Sequence, residues 1–261
     1  MIPTEIVDHI LGFLCTDHAT LKTCSTVFPQ IVDRHLYSHI TLRTPMMEDD
    51  TDEEDIYHVV EFNDFIDQLV ARPQIILCVL GVRIVIAVMP GRDDVTFECL
   101  PMISSMLAVF RKIKSIELTV WGTFSWHALD SDFCSAFQNC LRFPSISKVA
   151  ISGINGFPLD SFDGCKNLRN LVLCGQFMDS KKVSTSPYPR LSSLRIESRH
   201  RDESQPASEL TTTVAWMETH TLQTLSLCML QSLDLPKFQP LIGACSATLV
   251  TLELDLSECG E

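Results

Sequence analysis

The sequence predicts an α/β chain in two parts. Residues 1–40 read as a short N-terminal module of three helices, and residues 41–261 as a curved, right-handed repeat solenoid with a parallel sheet. Three observations carry this reading. The first 36 residues hold three short apolar stripes at helical spacing. The remainder repeats an apolar-x-x-apolar-x-apolar pattern seven times. Amphipathic stretches fill several of the gaps, and that alternation is the signature of parallel strands joined by right-handed crossovers.

The first helix is predicted from Ile2, with Pro3 in the first turn, where a missing amide costs nothing. Ile6, Ile10, Phe13 and Leu14 then form its stripe. Asp17 is a candidate cap for a second short helix carrying Leu21, Cys24, Val27 and Phe28. Pro29 ends that helix, and a third runs from Gln30 to Leu36 with Ile31, Val32 and Leu36 on one side. Three helices this short bury too little on their own and need a neighbour or a partner.

His39 to Leu42 reads as a short strand. Residues 48–55 (EDDTDEED) hold seven carboxylates and no base, and read as a solvated acidic loop. From Ile56 to Ala71 a helical period returns through Val59, Phe62, Phe65, Ile66, Leu69 and Val70, closed by Pro73.

Seven copies of the strand pattern follow, beginning at Val79, Ile113, Ile146, Leu168, Leu191, Leu222 and Leu249. It is the strand signature of leucine-rich repeats. One match alone is weak at this content of Leu, Ile and Val; the spacing of 22 to 34 residues is what argues for repeats. Amphipathic segments are expected over 100–110, 133–141, 210–217 and 238–245, with a loop at 184–189. The template positions are expected to be core. A doubly wound sheet would need longer, more uniform helices and a glycine-rich phosphate turn, and neither is present. The last pattern lies near residue 261 with no helical segment after it, so an exposed final edge is expected, as in a truncated member of a repeat family.

Composition narrows the function. Apolar residues are 46% and charged residues 20%, which is a globular balance. The net charge of −13, with basic residues scattered along the chain, argues against nucleic acid as a partner. The longest apolar run, Ile75 to Met89, is too broken to span a bilayer. Eleven scattered cysteines without a C-x-x-C pair or a secretory leader read as reduced thiols of a cytoplasmic or nuclear protein.

Ile2-Pro3-Thr4-Glu5-Ile6 with Ile10 and Leu14 resembles the opening of an F-box. Leu21 to Val27 resembles its second helix, and Leu36 to Leu42 the segment leading out of it. Together with Phe65-Ile66-x-x-Leu69 and the degenerate leucine-rich-repeat-like region, the chain is similar to F-box-like proteins abundant in mushroom-forming fungi. The resemblance implies a substrate receptor, not an enzyme. Its F-box would dock on a Skp-type adaptor, and through it on a cullin-RING ubiquitin ligase, while the repeats hold a target protein. The docking residues it implies are Pro3, Ile6, Ile10, Leu14, Leu21 and Val27. The stretch from Val27 to Ile31 departs from the family pattern, which keeps an alternative open: a free-standing repeat protein, binding or structural, with a vestigial F-box.

The target-binding face is expected between the core positions of the strands. It comprises Ser115, Glu117, Thr119, Ser147, Arg169, Asn170, Ser193, Arg195, Thr224, Ser226, Thr251 and Glu253. No cofactor and no metal are expected. His35 and His39 are four apart but lack the other ligands of a helical metal site. Asp130 and Asp132 precede a predicted helix, where their charge favours the amino terminus. Gly153 to Gly156 reads as a turn after a strand, and Trp121 and Trp126 as loop residues.

Overall fold

A computed structural model of the chain describes residues 4–13, 18–24, 26–43, 58–87, 100–175, 177–178, 189–197, 217–230 and 235–256. Three helices open it: α1 (Thr4–Gly12), α2 (His18–Cys24) and α3 (Pro29–Leu36). Pro29 stands at the start of α3, where its fixed φ suits a first turn. Strand β1 (His39–Arg43) follows, then β2 (His58–Glu61), α4 (Phe62–Ala71), a 3-10 turn over Pro73–Leu77 and β3 (Gly81–Ala87). The body continues with α5 (Leu100–Val109), β4 (Ser115–Ser125), α6 (Ser131–Leu141), β5 (Lys148–Asn155), β6 (Phe157–Pro158), β7 (Asn170–Cys174) and β8 (Phe177–Met178). It closes with β9 (Ser193–Glu197), β10 (Thr224–Leu230), α7 (Leu235–Cys245) and β11 (Thr251–Leu256).

Nine strands form one open parallel sheet in the order β11-β10-β9-β7-β5-β4-β3-β1-β2, while β6 and β8 pair separately. From β3 onward, sheet order is chain order. All seven predicted strands are present, and their template positions align in register. Val82, Ile116, Val149, Leu171, Leu194, Leu225 and Leu252 form one ladder. Ile84, Leu118, Ile151, Leu173, Ile196, Leu227 and Leu254 form the next. All of these are buried up to β10; in β11, Leu252 and Leu254 are exposed at 42% and 46%, beside an exposed Val250.

The turns entering the strands are stapled by a repeated backbone step. The Ser38 carbonyl accepts from the amides of Leu80 and Gly81, that of Leu80 from Lys114 and Ser115, and that of Lys114 from Ser147 and Lys148. The same step recurs from Ser147, Arg169, Ser192 and Gln223. Each carbonyl thus accepts from two turn amides, so both donors are satisfied within the chain.

Two expectations are corrected. The segment 56–71 is not one helix: His58–Glu61 pairs with β1 as an edge strand, and the helix begins at Phe62. Pairing with an existing strand outweighs a weak helical period in a β-branched stretch. The turn at Gly153–Gly156 is a strand continuation, since β5 runs to Asn155 with Gly153 at φ 76. The predicted segment 210–217 (save Met217), the loop 184–189 (save Pro189) and the acidic run 48–55 lie outside the described residues.

The N-terminal helices share one core with the body. Val7, Leu11 and Leu21 belong to the same buried cluster as Ile40, Phe65 and Ile75. A polar network adds to this junction. Arg72, just after α4, donates to the buried Asp33 carboxylate at 2.7 Å and to the Tyr37 hydroxyl at 3.1 Å, and Tyr37 donates to Gln68. Burial, the larger cause, pushes the Tyr37 hydroxyl above its ordinary pKa, against the opposing pull of Arg72. Deeper in the body, Trp126 packs edge-on against Phe137 and Phe157.

Candidate functional site

Helix α1 has two apolar faces. Val7 and Leu11, four apart, point into the core, whereas Ile6, Ile10 and Phe13 are 50%, 53% and 75% exposed. The exposed set follows the i, i+4, i+7 spacing of a single helical stripe. Val27, in the turn before α3, is also exposed, at 67%. The inward face explains why this stripe holds still: α1 packs on α3, and Asp8 accepts from His35 at 2.9 Å and pairs with Arg34 at 3.4 Å. Of the residues named for docking, Ile6, Ile10 and Val27 are therefore accessible. Leu21 is fully buried and acts as core, because α2 turns it toward the shared interior. Pro3 and Leu14 lie outside the described residues. Phe13 emerges as a further accessible anchor, and its spacing of seven from Ile6 is the signal for it.

The second surface is the open face of the sheet, made by residues between the core ladders. Gly81, Ser115, Lys148, Asn170, Ser193, Thr224 and Thr251 form its first row. Arg83, Glu117, Ala150, Val172, Arg195, Ser226 and Glu253 form the second. Of the residues expected there, Ser115, Glu117, Asn170, Ser193, Arg195, Thr224, Thr251 and Glu253 are exposed or half-buried. Four others are placed differently. Thr119 and Ser226 are buried, Ser226 against the Cys228 thiol at 3.3 Å. Ser147 and Arg169 stand one residue before their strands. One Arg169 nitrogen donates to the carbonyls of Lys166, Leu168 and Arg190, and the Ser147 hydroxyl donates to the Lys114 carbonyl. Both side chains thus hold turns together.

Charge on this face is locally paired. Arg83 meets Glu117 at 3.0 Å, and Arg195 meets Glu197 at 2.6 Å. Gly81 leaves a gap that the His39 ring fills: an added Cβ would lie 2.4 Å from His39 Cδ2 and 2.6 Å from Ser115 Oγ. Burial first, and the Lys148 charge second, lower the His39 pKa.

Other candidate chemistry is accounted for by packing. The Asp130 carboxylate accepts from the amides of Asp132 and Phe133 and so caps α6. Trp126 is buried, whereas Trp121 in β4 is 43% exposed. A shallow open depression is lined by Gln138, Arg142, Asp160, Ser161, Asp163 and Gly164. Its Ser161 hydroxyl is buried and accepts from the Gln138 amide, which does not activate a nucleophile. The eight described cysteines are free thiols. Among the described residues no helix is long and apolar enough to cross a membrane. No protein-family model matches the chain, and neither a curated protein nor a solved structure matches it.

Proposed function

We propose that the chain is a non-enzymatic receptor. Its N-terminal helices form an F-box-like module that docks on a Skp-type adaptor of a cullin-RING ubiquitin ligase, and its body is a degenerate leucine-rich-repeat-like solenoid that holds a target protein. The observation that carries the docking half is the second apolar face of α1. Ile6, Ile10 and Phe13 stay exposed although the opposite face is already satisfied by the core. An uncovered helical stripe on a fixed helix is the kind of surface a partner helix buries, with a few anchors supplying most of the energy. In-register ladders that repeat from β3 to β11, joined by one recurring turn step, support the solenoid half.

Co-expression with a Skp-type adaptor followed by calorimetric titration tests this. A hot-spot anchor is worth about 2 kcal/mol. Ile6→Asp combined with Ile10→Asp is therefore expected to weaken binding about a thousandfold, while the exposed positions leave the fold intact. Absence of binding by the unmodified chain at micromolar adaptor concentration would sink the docking reading. A second reading rests on the shared core. Val7, Leu11 and Leu21 cover the first strands as a solenoid cap would. A chain that ignores the adaptor but unfolds when residues 1–36 are removed would favour this cap role with a vestigial F-box.

A further inference from the structure

The parallel order of the sheet gathers cations that the sequence scatters. Every turn entering a strand lies on one edge, so residues far apart in the chain stack there one strand step apart. The four consecutive turns before β4, β5, β7 and β9 (110–115, 142–148, 163–170 and 189–193) carry eight of the chain's 20 Lys and Arg and one carboxylate, Asp163. This is a basic ridge on a molecule of net charge −13.

Its geometry is regular. Arg111 and Lys166 occupy equivalent positions two strands apart, and so do Lys114 and Arg169. At about 4.8 Å per strand, equivalent cations stand about 10 Å apart. All eight side chains are exposed. Among the described residues only Arg190 has a carboxylate in ion-pairing range, Glu218 at 2.9 Å. The ridge is also held in shape. The Arg111 guanidinium lies 5.2 Å over the Phe143 ring, Ser145 donates to the Arg111 carbonyl, and Arg169 clamps its own turn to the next.

We infer that this ridge is a binding surface for an extended, Asp/Glu-rich peptide segment of a partner protein. Three features select that occupant. In a polyproline-II-like extended chain, carboxylates three residues apart share one face and stand about 9 Å apart, close to the repeat of equivalent cations. The ridge spans about 15 Å, the length of some five extended residues. The exposed large apolar side chains include no aromatic on these turns, so bases have no platform to stack on. The flanking turns before β3 (78–81), β10 (218–224) and β11 (246–251) hold no Lys or Arg, so a longer polyanion gains no further cation beyond the ridge. The site is separate from the exposed face of α1 and does not depend on adaptor docking.

The test is fluorescence anisotropy with a labelled ten-residue oligoglutamate, alongside a labelled 20-nucleotide single strand and a duplex of the same length. The intact chain is expected to bind the peptide saturably at low salt, with affinity falling steeply as salt rises. Exposed ion pairs are each worth a few-fold in affinity, so Lys114→Gln, Lys148→Gln and Lys166→Gln together are expected to weaken binding about tenfold. Arg34→Gln, off the ridge, is expected to leave it unchanged. Circular dichroism checks the fold. Should the triple variant fold poorly, the three single variants are titrated instead, each expected to lose about twofold or threefold. No saturable peptide binding, or binding that the lysine variants retain, overturns the inference. Tighter binding of either nucleic acid than of the peptide also overturns it.

Discussion

Replacing Arg72 by alanine asks whether the N-terminal helices and the strands unfold as one body. Arg72 supplies the cation for Asp33, whose side chain is 5% exposed, through a 2.7 Å contact. It also donates to Tyr37 and lies 5.7 Å from the centre of that ring. Leaving a fully buried carboxylate unpaired costs about 3–5 kcal/mol. The Arg72 side chain is 39% exposed, so water reaches the vacated site; about 2 kcal/mol is the appropriate figure for a half-open pair. The lost bond to Tyr37 adds about 1 kcal/mol. With a denaturant slope of about 3 kcal/mol/M, the urea midpoint of Arg72→Ala falls by roughly 1 M. Tryptophan fluorescence, to which the buried Trp126 in the body contributes, and far-UV circular dichroism should report the same shifted transition. A double-mutant cycle with Asp33→Asn should return a coupling of about 1–2 kcal/mol. Coupling below about 0.5 kcal/mol would refute the energetic role assigned to the pair. A fluorescence transition left at its wild-type midpoint would refute the single body.

Two further outcomes follow from titratable groups. His39 has a folded pKa held below its ordinary 6.5, so the folded chain favours the neutral ring. The stability linked to it is present above pH 6.5 and lost as pH falls through the lowered folded value. His39→Asn should therefore flatten the decline of the urea midpoint from about pH 7 to about pH 5, and an unchanged slope would contradict the packing of the ring over Gly81. Burial pushes the Cys140 and Cys165 thiols up to about 12. Both should resist iodoacetamide at about pH 8 in the folded chain and react in urea, with mass spectrometry as the readout. Native labelling of either at the rate of a free thiol would show that the core around α6 is open.

The sheet was legible in the sequence because a ladder position must be apolar in every strand, and pairs such as Ile116 and Ile151 advertise that at each occurrence. Asp130 was legible as a charge at a helix start, and its role as a cap adds geometry to that reading. Three things were not legible, each for a physical reason. Val59 and Val60 fit a helical stripe and a strand equally well, and only the presence of β1 beside them decides. Leu21 carries the residue type of a docking anchor, but its direction depends on how α2 meets the core. Arg169 and Lys114 lie 55 positions apart and become near neighbours only when turns stack, so no linear scan for a basic cluster finds them.

Chain-order pairing also sets how the molecule meets force. When the two ends of the sheet are drawn apart, the load runs along the rows of interstrand hydrogen bonds, from β11 toward β3, and breaks them one row at a time. Each released unit adds 22 to 34 residues of slack, about 80–120 Å of contour at 3.6 Å per residue. The first row to part is β10–β11, whose Leu252 and Leu254 are already in contact with water. Extension therefore proceeds by shedding strands from the C-terminal edge inward, with the buried aromatic group around Trp126 as the later and stiffer obstacle.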